Sequence, residues 1–569
     1  MRLHKFTIGS EEEGAAHRFK NLKNLTVDFD QDHWVTIVIG RNGTGKSNVL
    51  EALSIIFGEL ISEGRPAIPF SFKLTYSIGK ASTRRLVHID HAPDRGRASY
   101  QISARSYPDS VQQKRFFAQG LDELHSFDPN AKISLNLLRE NAGYLPEHVF
   151  GYYSGESSRM RAIFEKYLAK YDSKLRNGQD PGAKRLFFAL PEHSQFVLLA
   201  FLIQESDGVK NFLDKELGLD PGEGIESVLF VLREPPWSKN DDKEGDDRFW
   251  NAKGVVQTFL DRLLNAAIAP VQLSRRTPVS PWNNKTLEYR YLFLKNIDAL
   301  RELVGRQEPA SFFRDLESTH VSQLIQEVRI RVRLNKNDGA VTFRELSEGE
   351  QQLLTVLGLM LFTAQHESLF LLDEPDTHLN PRWSVDYIRY LKNFVVSDDA
   401  EESHSHVILT THNPIAIADL EREQVQILQL DKSTEARRVV ASFPEEAPRG
   451  MGYAAIVTSD MFGINSALDK TTTDELEKQR ILGGKLKLSS EEQRELDELN
   501  EKLNLLGFRF SHPDEEYGRF LRARQTILAE QYPDLATGEL IDAAKALSQE
   551  ERETLAREIV QRIAIEEEL

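Results

Sequence analysis

The sequence lacks cysteine altogether: none of its 569 residues carries a thiol. This absence excludes disulfide bonds, thiolate metal sites and cysteine nucleophiles, and it is typical of proteins from a reducing compartment. Apolar runs of about 18 residues, which a membrane-spanning helix requires, are also missing. The opening residues, MRLHKFTIGS, contain neither the apolar core nor the cleavage site of a secretory signal. We therefore expect a cytoplasmic protein that does not insert into a membrane.

Positive charge is in short supply, because 71 Lys and Arg face 88 Asp and Glu and give a net charge of −17. Nucleic-acid binding depends on clustered Lys and Arg that neutralise phosphates, so a chain this acidic is not a bulk nucleic-acid binder. DNA or RNA would have to bind a local basic face. The alternating Arg329, Arg331 and Arg333 are a candidate, although the solvent-facing side of a strand explains the same alternation.

Hydrophobic residues make up 40% of the chain and charged residues 28%, which is the composition of a globular protein with a large core. The apolar periodicity predicts an α/β fold. A strand over 34–39 is followed by a glycine-rich turn and a helix over 48–57. Residues 70–106 alternate as β-hairpins do, residues 110–325 are mostly helical in pattern, and strands return from 328 to about 430. The remainder is predicted to be helical.

The glycine-rich turn matches the phosphate-binding pattern G-x-x-x-x-G-K-[ST] between a strand and a helix, which is the context that the pattern needs. Its glycines let backbone N–H groups surround phosphate oxygens, and the helix N-terminus adds its dipole. Lys46 is expected to reach the β- and γ-phosphates, and Ser47 to bind Mg²⁺. The predicted nucleotide-binding residues of this turn are Gly40, Arg41, Asn42, Gly43, Thr44, Gly45, Lys46, Ser47 and Asn48.

A second segment, 369–375 (LFLLDEP), has the pattern of a buried strand that ends in two carboxylates, Asp373 and Glu374. Ligands bind at the carboxyl ends of the strands in a parallel sheet. We predict that Asp373 holds Mg²⁺ and that Glu374 polarises the attacking water as a general base. Taken alone, adjacent acids after a strand are more often only a turn.

Two further segments complete the set. Residues 346–352 (LSEGEQQ) place small residues before a helix, so Ser347, Gly349 and Glu350 are candidates for contacting a phosphate. An ordinary helix cap has the same sequence signature. Residues 407–414 (VILTTHNP) form a predicted buried strand followed by His412, which could contact the γ-phosphate, and a purely structural histidine is the alternative.

The four motifs stand in a characteristic order. The segment at Ser347 precedes the paired acids by about 25 residues, and His412 follows them by about 40. This arrangement resembles the ABC ATPase superfamily, in which Walker A, signature, Walker B and H-loop motifs follow one another. The resemblance implies ATP and Mg²⁺ as ligands, ATP hydrolysis as the activity, and Glu374 and His412 as catalytic residues. It also implies a homodimer or higher oligomer, in which Ser347 and Gly349 of one subunit close over the ATP held by the other.

Several details narrow the resemblance. Residues 19–22 (FKNL) and 373–381 (DEPDTHLNP) look like the RecF, SMC and OLD branch, and roughly 300 residues separate Lys46 from Ser347, far more than in transporter subunits. Residues 150–156 (FGYYSGE) and 456–463 (IVTSDMFG) are similar to the ATPase subunits of bacterial anti-phage systems, namely the Septu ATPase and its retron-linked relatives. In that group a separately encoded nuclease, often of the HNH type, partners the ATPase. The signature departs from the transporter pattern at Glu348, and Gln101 is only a weak candidate for a Q-loop glutamine.

On this resemblance the fold class is α/β: an ABC-type ATPase head with a mixed sheet, a mainly helical insert and a helical C-terminal region. The head is assigned to 1–108, which carries Walker A, and to 326–430, which carries the other motifs. The insert is assigned to 109–325, and 431–569 is assigned as a partner-binding region.

The predicted function is an ATP-binding and ATP-hydrolysing switch subunit that dimerises on ATP and controls a separately encoded nuclease in anti-phage defence. The alternative is a RecF- or SMC-like repair or recombination ATPase that clamps DNA. A self-contained nuclease of the OLD type is disfavoured, because residues 459–460 and 514–516 do not supply the acid pattern that metal-dependent cleavage needs. A transporter subunit is disfavoured by the long insert.

Overall fold

The computed structural model describes the chain except residues 13, 31, 80–82, 109–125, 142, 156–157, 183–185, 205, 221–223, 239–243, 281–282, 336–339, 364–366, 396–404, 432–437, 465, 484–487, 507–526, 529–530, 532–553 and 561–569. The strands are β1 (Arg2–Ile8), β2 (Arg18–Phe19), β3 (Leu22–Lys23), β4 (Leu25–Asp28), β5 (Val35–Gly40), β6 (Phe72–Ile78), β7 (Arg85–His91), β8 (Tyr100–Ser106), β9 (Lys132–Ile133), β10 (His148–Tyr153), β11 (Leu186–Phe188), β12 (Ile225–Arg233), β13 (Ile268–Ser280), β14 (Asn283–Leu294), β15 (Ile325–Arg333), β16 (Ala340–Thr342), β17 (Ser368–Asp373), β18 (His406–Thr410), β19 (Val425–Leu430) and β20 (Val439–Ser442). The α-helices are α1 (Lys46–Ile61), α2 (Leu135–Glu140), α3 (Arg159–Arg176), α4 (His193–Phe201), α5 (Asp207–Lys215), α6 (Gly254–Ala266), α7 (Ile297–Val304), α8 (Pro309–Val321), α9 (Glu348–Thr363), α10 (Pro381–Val395), α11 (Tyr453–Thr458), α12 (Lys470–Gly483) and α13 (Ser490–Leu505).

A seven-stranded sheet carries the predicted motifs. Its strand order is β11-β10-β17-β18-β5-β19-β20. All neighbours are parallel except β19 and β20, so the sheet is mixed, as predicted. The glycine-rich turn at residues 40–47 is called the P-loop. The strand before the paired acids (β17), the strand before His412 (β18) and the strand before the P-loop (β5) lie side by side, with their carboxyl ends at one edge. This order places the ends of three distant segments together.

Alternate side chains of the central strands belong to two different cores. Ile37, Leu372 and Leu409 pack in the first core, with helices α4, α8 and α9 and the strands β12 and β15. Val38 and Leu371 pack in the second core, with α1 and the strands β1 and β6. Both faces of the sheet are covered, which explains why its strands are continuous apolar runs rather than alternating patterns.

Two further sheets flank these cores. A six-stranded antiparallel sheet has the order β4-β1-β6-β7-β8-β9, and its β6-β7-β8 meander confirms the predicted hairpins of residues 70–106. A five-stranded antiparallel sheet has the order β13-β14-β12-β15-β16.

The predicted helical insert needs correction, because the described part of 109–325 mixes strands with helices. Strands β10 and β11 complete the seven-stranded sheet, β9 extends the six-stranded sheet, and β12, β13 and β14 build most of the five-stranded sheet. A short apolar run such as 225–233 (IESVLFVLR) does not distinguish a buried strand from a buried helix by periodicity. The pairing partners decide the outcome, and they lie outside the segment.

The C-terminal boundary also differs from the expected one. The chain divides into a compact unit over Met1–Gly463 and a second unit over Ile464–Leu569, so the first unit extends beyond residue 430 and includes β20. In the second unit, helices α12 and α13 pack on each other, and Gln479 donates from Nε2 to Asn500 Oδ1 at 2.5 Å. In the described part of the chain, no helix combines the length with the apolar character needed to cross a membrane.

Candidate functional site

The P-loop joins β5 to α1 and has the tight geometry that its glycines permit. Gly40 has φ +150° and Gly45 has φ +98°. A Cβ on Gly40 would lie 2.4 Å from the carbonyl oxygen of Leu428, and one on Gly45 would lie 2.7 Å from Leu22 Cδ2. Side chains at these two positions would clash, so only glycine allows the loop to pass this close to its neighbours.

Lys46 is folded into the loop. Its Nζ donates to the carbonyl oxygen of Gly40 at 2.9 Å, and the side chain is only 6% exposed. Burial lowers the pKa of Lys46, while the charges of Glu374 and Asp373 act in the opposite direction. The ammonium group is therefore held at the centre of the loop, between the glycine backbone and the paired acids.

Residues outside the loop brace it. Asn21 donates from Nδ2 to the carbonyl oxygen of Gly43 at 3.0 Å and accepts from Asn48 Nδ2 at 2.7 Å. Thr44 closes the turn by donating to the Arg41 carbonyl at 2.8 Å. These contacts give residues 19–22 a physical role. Arg41, Asn42 and Gly43 are exposed, and Arg41 donates to the carbonyl oxygen of Gly463 at 3.1 Å.

Ser47 and Asp373 meet at the edge of the sheet. Ser47 Oγ donates to Asp373 Oδ1 at 3.1 Å, and Thr410 Oγ1 donates to the same oxygen at 2.5 Å. Octahedral Mg²⁺ at about 2.1 Å from each oxygen places neighbouring ligand oxygens about 3 Å apart, so this hydroxyl and carboxylate pair fits the ion. Burial raises the pKa of Asp373, against the hydrogen bonds from Thr410 and Ser47. A bound cation would offset that desolvation.

Glu374 lies at the end of β17 in an unusual backbone conformation. Its φ is +52°, and its N–H donates to the Thr410 carbonyl at 3.1 Å. Left-handed backbone at a residue other than glycine costs roughly 1–3 kcal/mol and tends to occur at functional sites. The carboxylate lies 3.0 Å from His412 Nε2. Burial and the charge of Lys46 lower the pKa of His412, against Glu374 and Asp373, so the imidazole is neutral at pH 7.

The segment at Ser347 makes none of the contacts described so far for this site. Ser347 Oγ and Glu350 form the capping box of α9: Ser347 N–H donates to Glu350 Oε2 at 2.7 Å and Glu350 N–H donates to Ser347 Oγ at 3.3 Å. A Cβ on Gly349 would lie 2.6 Å from the carbonyl oxygen of His378, so this glycine packs against the loop after β17. Among the described residues, no hydrogen bond or ion pair links 347–350 to 40–48.

Two features of the site were not predicted from the sequence. Thr410 and Ser47 both donate to the carboxylate of Asp373, but a threonine at the end of a strand belongs to no motif that would have predicted this role. Strand β10 lies next to β17, and Tyr153 pairs with Asp373 in that register. Gln101 instead pairs with Asp90 in the six-stranded sheet, so it is not among the groups assembled here.

A second group of potential metal ligands lies in the first core. His193, Glu317 and His320 offer ligand atoms within 4.8 Å of one another. The Leu190 N–H donates to His193 Nδ1 at 2.9 Å, so Nδ1 is an acceptor, and Nε2 lies 2.7 Å from Glu317 Oε2. A metal-bound histidine normally donates from its second nitrogen. The trio therefore fits a buried His–Glu pair better than a metal site.

The fold and the P-loop geometry define a P-loop ATPase. Residues 35–418 match the family described as "AAA domain, putative AbiEii toxin, Type IV TA system", and the chain belongs to that family. The match includes the P-loop, the paired acids and His412, so all the elements of the assembled site lie within it.

Two curated relatives are similar to this chain. The retron Vc95 probable ATPase of Vibrio cholerae serotype O1 biovar El Tor is 22% identical over 417 residues, which are 69% of this chain and 68% of that protein. The Septu protein PtuA of Bacillus mycoides (strain KBAB4) is 27% identical over 127 residues, which are 21% of this chain and 16% of that protein. The sequence resemblance to Septu and retron ATPases is thereby confirmed.

Proposed function

We propose that the chain is an ABC-type ATPase whose ATP sites are shared between two copies, and that ATP-driven dimerisation controls a separately encoded nuclease in anti-phage defence. One observation carries the ATPase assignment: Ser47 Oγ lies 3.1 Å from Asp373 Oδ1, beside the P-loop lysine and one residue from Glu374. Three segments far apart in the chain contribute to this cluster: the P-loop, the paired acids and the end of β18. A turn, the alternative reading of the paired acids alone, does not account for their meeting.

Each residue has a chemical task in this proposal. The loop glycines and Lys46 bind the triphosphate, and Ser47 with Asp373 holds Mg²⁺. The ion would neutralise charge on the β- and γ-phosphates. Glu374 accepts a proton from the attacking water, and His412 senses the γ-phosphate through its contact with Glu374.

The second copy supplies what one chain lacks. Ser347, Gly349 and Glu350 do not bond to the P-loop of their own chain, and the N-terminus of the 16-residue helix α9 suits a phosphate oxygen from another molecule. ATP would then favour the closed dimer by its greater affinity for that state. Loss of the γ-phosphate would loosen the dimer.

A mixing experiment tests the shared site. Lys46→Ala removes the P-loop lysine, and Ser347→Asp keeps a side chain that can cap α9 but sets a negative charge against the triphosphate. Each variant alone should be inactive. In an equal mixture, half of the dimers are mixed and each has one intact site, so about a quarter of wild-type turnover should return. No recovery from two folded variants would contradict a composite site.

The nuclease partnership is tested separately. Genes adjacent to the one for this chain are searched for an HNH reading frame, and its product is co-expressed with the chain. We expect co-purification, and DNA or RNA cleavage that differs between ATP and no nucleotide. The Lys46→Ala protein is the control, because it should bind the partner without responding to ATP. Cleavage unaffected by nucleotide would contradict the proposed switch.

A DNA-clamping ATPase is the second candidate. Arg329, Arg331 and Arg333 lie exposed along one face of β15, as a local basic surface would require. Glu327 pairs with Arg329 at 2.9 Å and Glu226 with Arg331 at 3.2 Å, so part of this charge is already neutralised. Salt-dependent DNA binding that is lost in a triple Arg→Gln variant would favour this function over the first.

A further inference from the structure

The segment 150–155 (FGYYSG) is not used by the site as proposed, yet its structure depends on both of its glycines. A Cβ on Gly151 would lie 2.7 Å from Phe164 Cζ, so Gly151 lets α3 pack against β10. A Cβ on Gly155 would lie 2.4 Å from the phenol oxygen of Tyr153. The turn after β10 thus lies directly against the Tyr153 hydroxyl, and glycine at 155 leaves room for it.

Tyr153 faces the predicted magnesium ligands. It pairs with Asp373 across the parallel β10–β17 register and packs on the α1 side of the sheet, where Ser47 lies in the first turn of that helix. A small cavity at this point is lined by Ser47, Glu51, Tyr153, Arg159, Met160 and Asp373. The phenol therefore shares a cavity with both members of the Ser47–Asp373 pair.

The turn that follows Tyr153 also hydrogen-bonds to the paired acids and to the loop after them. Ser154 N–H donates to the Asp373 carbonyl at 3.3 Å, and its hydroxyl lies 3.2 Å from Thr377 Oγ1. Thr377 in turn donates to the carbonyl oxygen of Glu374 at 2.9 Å. The position of Tyr153 is thus coupled to the loop that holds the general base.

We propose that Tyr153 is a positioning residue for the magnesium site, whose hydroxyl hydrogen-bonds a water molecule in the coordination shell of an ion held by Ser47 and Asp373. This inference rests on the proposed function. Mg²⁺ keeps several of its waters when proteins bind it, and a phenol offers one donor and one acceptor for such a water. Tyr153 would take the role for which Gln101 was considered, and it belongs to the segment 150–156, to which the sequence motifs assigned no role at the nucleotide.

The test compares two neighbouring tyrosines. Tyr153→Phe removes the hydroxyl in the cavity, and the matched control, Tyr152→Phe, removes the same group one residue away. Tyr152 packs in the first core, on the opposite side of the sheet. Affinity for a fluorescent ATP analogue is measured with Mg²⁺ and with EDTA, and bound Mn²⁺ is followed by electron paramagnetic resonance.

We expect a loss of nucleotide affinity only when the metal is present. Tyr153→Phe should weaken metal-dependent nucleotide affinity about three- to tenfold, as one hydrogen bond does, and leave affinity in EDTA unchanged. It should also alter the Mn²⁺ spectrum, whereas Tyr152→Phe should match the wild type in both measurements. Gly155→Ala should reproduce the Tyr153→Phe defect, because its methyl group would displace the phenol.

The possible outcomes distinguish a failure of the role of Tyr153 from a failure of the proposed ATPase function. If the wild type shows no metal-dependent nucleotide binding, the proposed ATPase function itself fails. If the wild type binds with metal but Tyr153→Phe and Gly155→Ala behave like it, only the role of Tyr153 is overturned. An equal loss with Mg²⁺ and with EDTA would mean that Tyr153 serves the fold rather than the ion.

Discussion

Glu374→Gln provides the sharpest test of the catalytic centre. Glutamine has almost the same shape as glutamate, so the left-handed backbone at 374 and its hydrogen bond to Thr410 should persist. Only the basic carboxylate is lost. A positioned general base contributes about 10²- to 10⁴-fold, which corresponds to about 3–5 kcal/mol of barrier at about 1.36 kcal/mol for each tenfold change.

Binding should respond in the opposite sense. Glu374 is one of two acids next to Lys46, and both charges repel a triphosphate. Removing one of them should leave ATP affinity unchanged or tighter, while the contact with His412, now between neutral groups, holds the strand ends together. We therefore expect ATP-bound dimers that accumulate because they hydrolyse slowly.

Three measurements check this. Steady-state phosphate release should fall at least a hundredfold, the ATP dissociation constant should not rise, and light scattering should detect a dimer only with ATP. Glu63→Gln is the matched control, because the same chemical change falls on an exposed side chain that pairs with Lys174. Turnover within tenfold of wild type, in a protein that still binds ATP, would refute the role of Glu374.

Three other predictions concern the same chain. Lys46→Ala should abolish nucleotide binding or turnover, measured by equilibrium dialysis and phosphate release, and unchanged ATPase activity would contradict the P-loop assignment. Glu374→Gly should raise the free energy of unfolding by about 1 kcal/mol while ending hydrolysis, because glycine relieves the left-handed backbone. Denaturant titration measures this change, and a fall in the free energy of unfolding would contradict the prediction. Burial lowers the pKa of His406 well below 6.5, and Leu3 N–H already donates to its Nδ1 at 3.0 Å. A histidine whose folded pKa is depressed stabilises the fold fully above its unfolded pKa of about 6.5 and loses that contribution as the pH falls, so denaturant unfolding should be easier at pH 5.5 than at pH 7.5, and His406→Gln should lose that part of the difference.

The sequence alone determined the parts of the site that are local. The P-loop needs its glycines, lysine and serine within a few consecutive residues, because the loop backbone itself forms the phosphate cradle. The continuous apolar runs before Asp373 and His412 identify strands buried on both faces, and polar residues at their ends indicate the edge where ligands bind. The capping box before α13 is local in the same way: Ser489 N–H donates to Glu492 Oε2 at 2.9 Å.

Only the tertiary structure decided which distant residues meet. Strand order sets Tyr153 and Thr410 on either side of Asp373, and no short-range pattern encodes that order, since pairing depends on how both faces of the sheet are covered. The left-handed backbone at Glu374 comes directly after the end of β17, and a sequence of two acids does not specify it. The strands within 109–325 and the unit boundary at Gly463 have the same origin: each depends on partners far away in the chain.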